Sequence, residues 1–234
     1  MARKPRNTPA GYVYHVLNRS AGRIALFRRD QDYAAFERIL LAAKQRVDLP
    51  LLAWCIMKNH WHFVVRPTTD TQITDFFRWL THTHAMRWRV ARDTVGWGHL
   101  YQGRFKAFPV QSKGADAHFL AVCRYVERNA LSAGVVKRAE DYRWSSLWAQ
   151  RQGPPEIRAL LSPWPIERPR NWLTLVNTPL TPKELARVRL AAQRGQPFGN
   201  PPWVARTAEK LSLEHTLRSE GRPRKVARPA PPKK

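Results

Sequence analysis

The sequence predicts an α+β fold: a ferredoxin-like antiparallel sheet with helices packed on one face, followed by a C-terminal helical and basic extension. Three observations lead there. The apolar pattern switches between period two and period 3.6 in the order β-α-β-β-α-β-α over the first 150 residues. Hydrophobic residues make up 43% of the 234 positions, enough for a buried core. Beyond residue 150 the composition turns proline-rich and then basic.

The elements follow in order. The first ten residues, MARKPRNTPA, read as a flexible basic arm. Residues 11–17 (GYVYHVL) alternate and are rich in β-formers, so they predict a strand. Asp30 stands as a helix N-cap. Tyr33, Phe36, Leu40, Ala43 and Val47 follow at helical spacing, until Leu49-Pro50 stops the helix. Residues 51–57 (LLAWCIM) and 60–65 (HWHFVV) predict two strands joined by a tight turn at Lys58-Asn59. Residues 71–92 predict a helix with Ile73, Phe76, Phe77, Leu80 and Trp88 inward. Residues 99–110 (HLYQGRFKAFPV) read as extended, basic and aromatic, and residues 114–128 as a helix with Phe119, Cys123 and Val126 inward. Residues 151–180 read as a Pro-rich linker in which Trp164 and Trp172 suggest packing. Thr181-Pro182-Lys183-Glu184 is a capping box that opens a helix ending at Gly195. A short helix follows at about 202–210 within a small helical region, 181–217. Residues 218–234 read as a disordered basic tail; Gly221-Arg222-Pro223 in it resembles part of an AT-hook.

Lys plus Arg number 41 against 17 Asp plus Glu, a formal charge of +24. That excess repels itself unless an anion is near, and nucleic acid is the commonest such partner. Two cysteines, Cys55 and Cys123, exclude a disulfide scaffold and a four-cysteine zinc site; both read as buried thiols in a reducing compartment. No apolar run approaches the length of a membrane span. A cytoplasmic protein is expected.

Two His-x-His pairs occur, His60-Trp61-His62 and His82-Thr83-His84. On a strand, i and i+2 share a face, so His60 and His62 can converge on one ion. On a helix they stand about 200° apart, so His82 and His84 diverge, with His84 partly packed and His82 solvated. Two surface histidines on a sheet face would give the same strand spacing, so a third ligand and a chemical role are needed. The zinc deaminase and H-E-x-x-H patterns are absent. Tyr125 and Asn129 are i and i+4 on the helix before the chain breaks, on a face turned away from the Phe119/Cys123/Val126 stripe and flanked by Arg124 and Arg128. Beside a cation, a phenol can attack a phosphodiester. Asn129 can add an oxygen ligand to the two imidazoles, a set that suits Mg²⁺ or Mn²⁺. Asn18 and Arg19 end the first strand. Arg104 and Lys106 interleave with Phe105, a pattern that suits a single strand of nucleic acid; a solvated sheet face with Phe105 in the core gives the same pattern.

These motifs resemble a known family. Residues 58–65 (KNHWHFVV) resemble the histidine-hydrophobic-histidine motif of the HUH single-tyrosine transposases, and residues 124–136 (RYVERNALSAGVV) their nucleophile helix, with Tyr125 at the nucleophile. YHVLNRSAGR at 14–23, GHLYQGRFKAFPV at 98–110 and YRWSSLWA at 142–149 match further, so the resemblance covers about 11–150. Asn129, where the mobile branch usually has glutamine, is similar to the REP-associated tyrosine transposases. The resemblance implies a catalytic domain at 11–150 that binds single-stranded DNA hairpins and cleaves through a 5′-phosphotyrosine on Tyr125. It implies a divalent metal at His60, His62 and Asn129, and DNA contacts from Asn18, Arg19, Arg104, Lys106, Arg124 and Arg128. A monomer or a homodimer is compatible with it. A second expectation is a hairpin-binding regulator that does not cut. A third, RNA or ribosome binding, rests on charge alone.

Overall fold

A computed structural model of the chain describes residues 7–114 and 116–218. Most of the expected basic arm, and the basic tail after residue 218, lie outside these residues. The elements are β1 (Val13–Arg19), α1 (Asp30–Arg46), β2 (Leu51–Met57), β3 (His60–Val65), α2 (Gln72–Val90), β4 (Lys106–Val110), α3 (Asp116–Glu127), α4 (Asn129–Ser132), α5 (Ser146–Gln152), α6 (Pro155–Arg158), α7 (Trp172–Asn177), α8 (Pro182–Arg194) and α9 (Pro201–Lys210). The strands form one antiparallel sheet in the order β2-β3-β1-β4, the ferredoxin-like order expected from the sequence.

One detail differs from the expected arrangement: the helices cover both faces. β1 and β3 pair so that Val16 opposes Phe63 and Leu17 opposes His62, which sets Trp61 and Phe63 on one face and His60 and His62 on the other. α2 takes the first face, with Phe77 stacked 5.4 Å from Trp61 and edge-on to Phe63 at 5.5 Å, and α1 packs beside it. α3 takes the second face. The strand sequences require this: every residue of β2 is buried, and a continuous apolar run needs cover on both sides. At the centre of the first face Tyr101 Oη accepts from Trp61 Nε1 and bonds His84 Nδ1, so His84 is more deeply buried than its partly packed expectation. His82 is exposed, as expected.

The N-cap of α1 is Arg29, not Asp30. Asp32 does the capping work instead, its carboxylate accepting from the Arg28 and Arg29 backbone N–H groups. α8 opens as expected: Thr181 Oγ1 accepts from Glu184 N, and Gly195 closes the helix in a left-handed conformation that glycine adopts without penalty.

Residues 151–180 pack on the core through Ile157, Leu160, Trp172 and Val176. Trp164 Nε1 donates to the Leu52 carbonyl, and its ring stands edge-on to Phe119 and Trp172. Both sheet edges are covered by the second half of the chain. Ile56 N donates to the Trp144 carbonyl along β2, and Phe198 pairs with Val110 along β4. Covered edges cannot template pairing with other chains.

Candidate active site

The turn between β2 and β3 sets the first two side chains. Its Lys58 and Asn59 carbonyls accept from the backbone N–H groups of Leu26, Phe27 and Ser20, which fixes where β3 begins. His60 and His62 then project from the α3 face with ring centroids 5.0 Å apart. Arg19 is the cross-strand partner of His60 on the same face. Asn59 Oδ1 lies 2.8 Å from His60 Nδ1. An amide oxygen only accepts, so the proton sits on Nδ1 and the lone pair on Nε2.

α3 brings the phenol over this pair. The Tyr125 ring stands edge-on to His62 at 5.7 Å and to His15 at 6.0 Å between centroids. Its position on α3 differs from expectation. Tyr125 lies on the flank of the buried stripe, one turn after Val122, rather than on a face turned away from it, and is half-buried against the core. Asn129, one turn further, lies close enough to act on both the His60 ring and the Tyr125 phenol.

Burial holds the site uncharged. It lowers His60 to about 4, helped by the Arg19 guanidinium and opposed by Asn129. It also lowers His62 well below an ordinary histidine, with the His15 and His60 rings and Arg19 adding to the effect. Both imidazoles are therefore neutral near pH 7, the form that ligates a cation. Burial raises Tyr125, while the Arg189 and Arg19 guanidiniums and the Asn129 amide pull it back down. Among the described residues no group of three or more His, Cys, Asp or Glu is arranged to hold a metal. The candidate donors are instead two neutral imidazoles and one amide oxygen, a set that fits a divalent cation with open positions for phosphate oxygens.

Tyr125, His60, His62, Asn129 and Arg19 thus come together. The other expected residues do not join them. Asn18 is buried, and its Nδ2 donates to the Gly103 carbonyl. Arg124 donates to the carbonyls of Leu175, Thr178 and Pro179. Arg128 donates to those of Val176 and Asn177. Lys106 Nζ donates to the Gln193 carbonyl, and Arg104 is exposed. Phe105 is buried against Phe77.

Two residues went unread in the sequence. His15, fully buried, lies with Nε2 2.9 Å from His62 Nδ1, and its own Nδ1 has no hydrogen-bond partner among the described residues. Its place four residues before Arg19 on an alternating strand was the available signal. The charge of Arg189, exposed on α8, acts on Tyr125, and no local pattern marks it.

Residues 10–129 match the family described as transposase IS200 like. No curated protein matches the chain. Among solved structures, one similar chain is a REP-associated tyrosine transposase bound to a REP hairpin, at 18% identity and a TM-score of 0.47, over 67% of this chain and 90% of that one. Another is a protein of Deinococcus radiodurans R1 described as a transposase, at 21% identity and a TM-score of 0.36, over 50% of this chain and 92% of that one.

Proposed function

The chain belongs to the IS200-like transposase family, and on that premise we propose that it is a metal-dependent single-stranded DNA endonuclease and strand transferase of the REP-associated kind. It cleaves beside hairpin repeats with Tyr125 as nucleophile. The observation that carries this reading is the Tyr125 ring packed edge-on against His62, whose strand neighbour His60 shares its face, with Asn129 one turn beyond the tyrosine. Packing alone explains a half-buried tyrosine; it does not explain its ring set against one of two neutral histidines that share a strand face.

In the reaction the Tyr125 Oη attacks the scissile phosphorus. A tyrosyl–phosphorus bond forms to the 5′ side, the phosphorus–O3′ bond breaks, and the phenol's proton ends on the departing 3′-oxygen as a 3′-OH. The number of phosphodiester-type bonds is unchanged, so rejoining by the reverse attack needs no nucleotide triphosphate. His60, His62 and the Asn129 amide oxygen would hold the cation, Mg²⁺ or Mn²⁺, which supplies Lewis-acid polarisation of the phosphate. Arg19 binds phosphate oxygens beside His60. The hairpin substrate rests on the motifs at 14–23, 98–110 and 142–149, and the net charge of +24 suits any such polyanion. Tyr125 and the histidines adjoin within one chain, which supports cleavage in cis by a monomer.

A non-cutting hairpin regulator would share the charge but has no use for Tyr125. Mixing the protein with labelled single-stranded hairpins from repeats flanking its own gene, with Mn²⁺, and running a denaturing gel separates the two. A metal-dependent, detergent-resistant adduct, absent in Tyr125→Phe while native-gel binding persists, is the expected result. Binding without adduct in either metal would leave the regulator.

A further inference from the structure

The region beyond the family match holds a cleft of about 440 Å³ between α5 and the entry to α7. Leu147, Gln150 and Arg151 form one wall, at the i, i+3 and i+4 spacing that puts three side chains on one face of a helix. Arg168, Arg170 and Trp172 form the other. Both walls hang from one buried group. Glu127 of α3 accepts from Ser146 Oγ of α5 and from Trp172 Nε1 of α7, at 2.7 Å in each case. A fully buried carboxylate shared by both walls fixes the spacing between them. Arg168 is held as well. Its guanidinium carbon lies 4.0 Å over the Trp164 ring, and Trp164 Nε1 donates to the Leu52 carbonyl of β2. The cleft is therefore built before any ligand arrives.

Its charge is one-sided. Three of the residues that line it are arginines and none is acidic. Arg151 and Arg170 are exposed, and Arg168 is half-buried. Among the described residues none of the three has a hydrogen-bond acceptor or a carboxylate at ion-pair distance. Nearby arginines are committed to the fold instead. Arg124 and Arg128 donate to carbonyls of α7, Arg158 donates to the Gly153 carbonyl, and Arg143 forms a two-point ion pair with Glu37. Arg168 offsets the charge of Glu127, whose oxygens are already taken by Ser146 and Trp172. That accounts for one positive charge of three. A guanidinium presents five N–H donors in a planar fork that matches the oxygens of a phosphate. Three such forks around a cleft of this volume suit phosphate groups.

We propose that this cleft binds backbone phosphates of the DNA substrate, at a second contact away from the tyrosine. Glu127 and Tyr125 are two residues apart on α3, about 200° around the helix. The cleft, tied to Glu127, therefore lies behind the nucleophile helix rather than over the scissile bond. A contact to the backbone carries no base sequence; it sets the position of the DNA on the protein. An enclosed cavity would suit a small free phosphate compound, whereas the exposed Arg151 and Arg170 leave this cleft open to a polymer. The proposal rests on the DNA-processing reading above. It gives residues outside the family match, 10–129, a part in holding the substrate.

Two measurements test it. First, binding of a hairpin with a single-stranded flank is followed against salt in the Tyr125→Phe background, where no covalent bond forms and cleavage does not enter. Arg151→Ala with Arg170→Ala is compared with Arg38→Ala with Arg206→Ala, which removes the same charge from exposed positions on α1 and α9. Thermal melting checks folding. The cleft pair is expected to lower the slope of log affinity against log salt by about 1.4–1.8, two phosphate contacts at about 0.7 each on a single strand or about 0.9 each on a duplex. The control pair is expected to leave the slope unchanged. An unchanged slope in the cleft pair, or an equal fall in both pairs, overturns the proposal. Second, calorimetric titration with inorganic phosphate separates the two sources of the anion. Phosphate binding that is lost in the cleft pair, with the hairpin slope unchanged, would assign the cleft to a free phosphate compound and overturn the DNA contact. If wild type forms no adduct but the slope falls, the cleft contact stands and the transferase reading fails. An adduct with no change of slope keeps that reading and removes the cleft.

Discussion

Burial disfavours the Tyr125 phenolate, and the ring's place edge-on to His62 and His15 is what marks the residue as more than packing. His62 depends on a neighbour in the same way. For its Nε2 to offer a lone pair, the proton must sit on Nδ1 and be accepted by His15 Nε2, 2.9 Å away. Replacing His15 by phenylalanine keeps a buried ring and removes that acceptor. His15→Phe should weaken Mn²⁺ binding about 10–100-fold, measured by calorimetric titration of the protein with Mn²⁺ alone, with the melting temperature nearly unchanged. Equal Mn²⁺ affinity would give His15 a packing role only. His60, His62, Tyr125 and Asn129 were legible because strand and helix periodicity fix which neighbours share a face. His15 was not, because its meaning lies in the register between β1 and β3, which no local pattern states.

α3 works on two sides. Its inner side sets Tyr125 over the sheet; its outer side, Arg124, Glu127 and Arg128, grips α7. In the sequence those arginines read as DNA ligands, since charge beside a nucleophile has two uses and the sequence does not say which. With their donors committed to backbone carbonyls, Arg128→Ala should cost about 1–3 kcal/mol of stability, read by denaturant unfolding. It should leave the salt slope of hairpin binding unchanged. A slope lowered by about 0.7, with stability intact, would return Arg128 to the DNA. The order β-α-β-β-α-β was legible because each element is long enough to show its period. α6 and α7, four and six residues long, show none. They are held by long-range contacts such as Trp172 with Glu127 and Trp164 with Leu52.

The sheet, α3 and the extension share one core: Phe119, Trp172, Val188 and Phe198 belong to the same buried cluster as Trp61 and Phe63. Trp164 and Trp172 suggest that residues past 150 pack, but the proline-rich composition does not say against what. On the proposed reading, a site assembled within one such body is expected to act in cis. A mixture of Tyr125→Phe with a His60→Ala, His62→Ala double variant should therefore form no adduct; restored adduct would mean that tyrosine and histidines come from different chains. Among the described residues no helix is long and apolar enough to cross a membrane. The most direct test of the whole account is to form the adduct on a labelled flanked hairpin with Mn²⁺, digest it with trypsin and identify the labelled peptide by mass. Cleavage after Arg124 and Arg128 gives a fragment of Tyr125, Val126, Glu127 and Arg128, and the account predicts the nucleotide on that fragment, attached to the 5′-phosphate. Label on any other peptide, or no covalent product from any flanking hairpin, would contradict it.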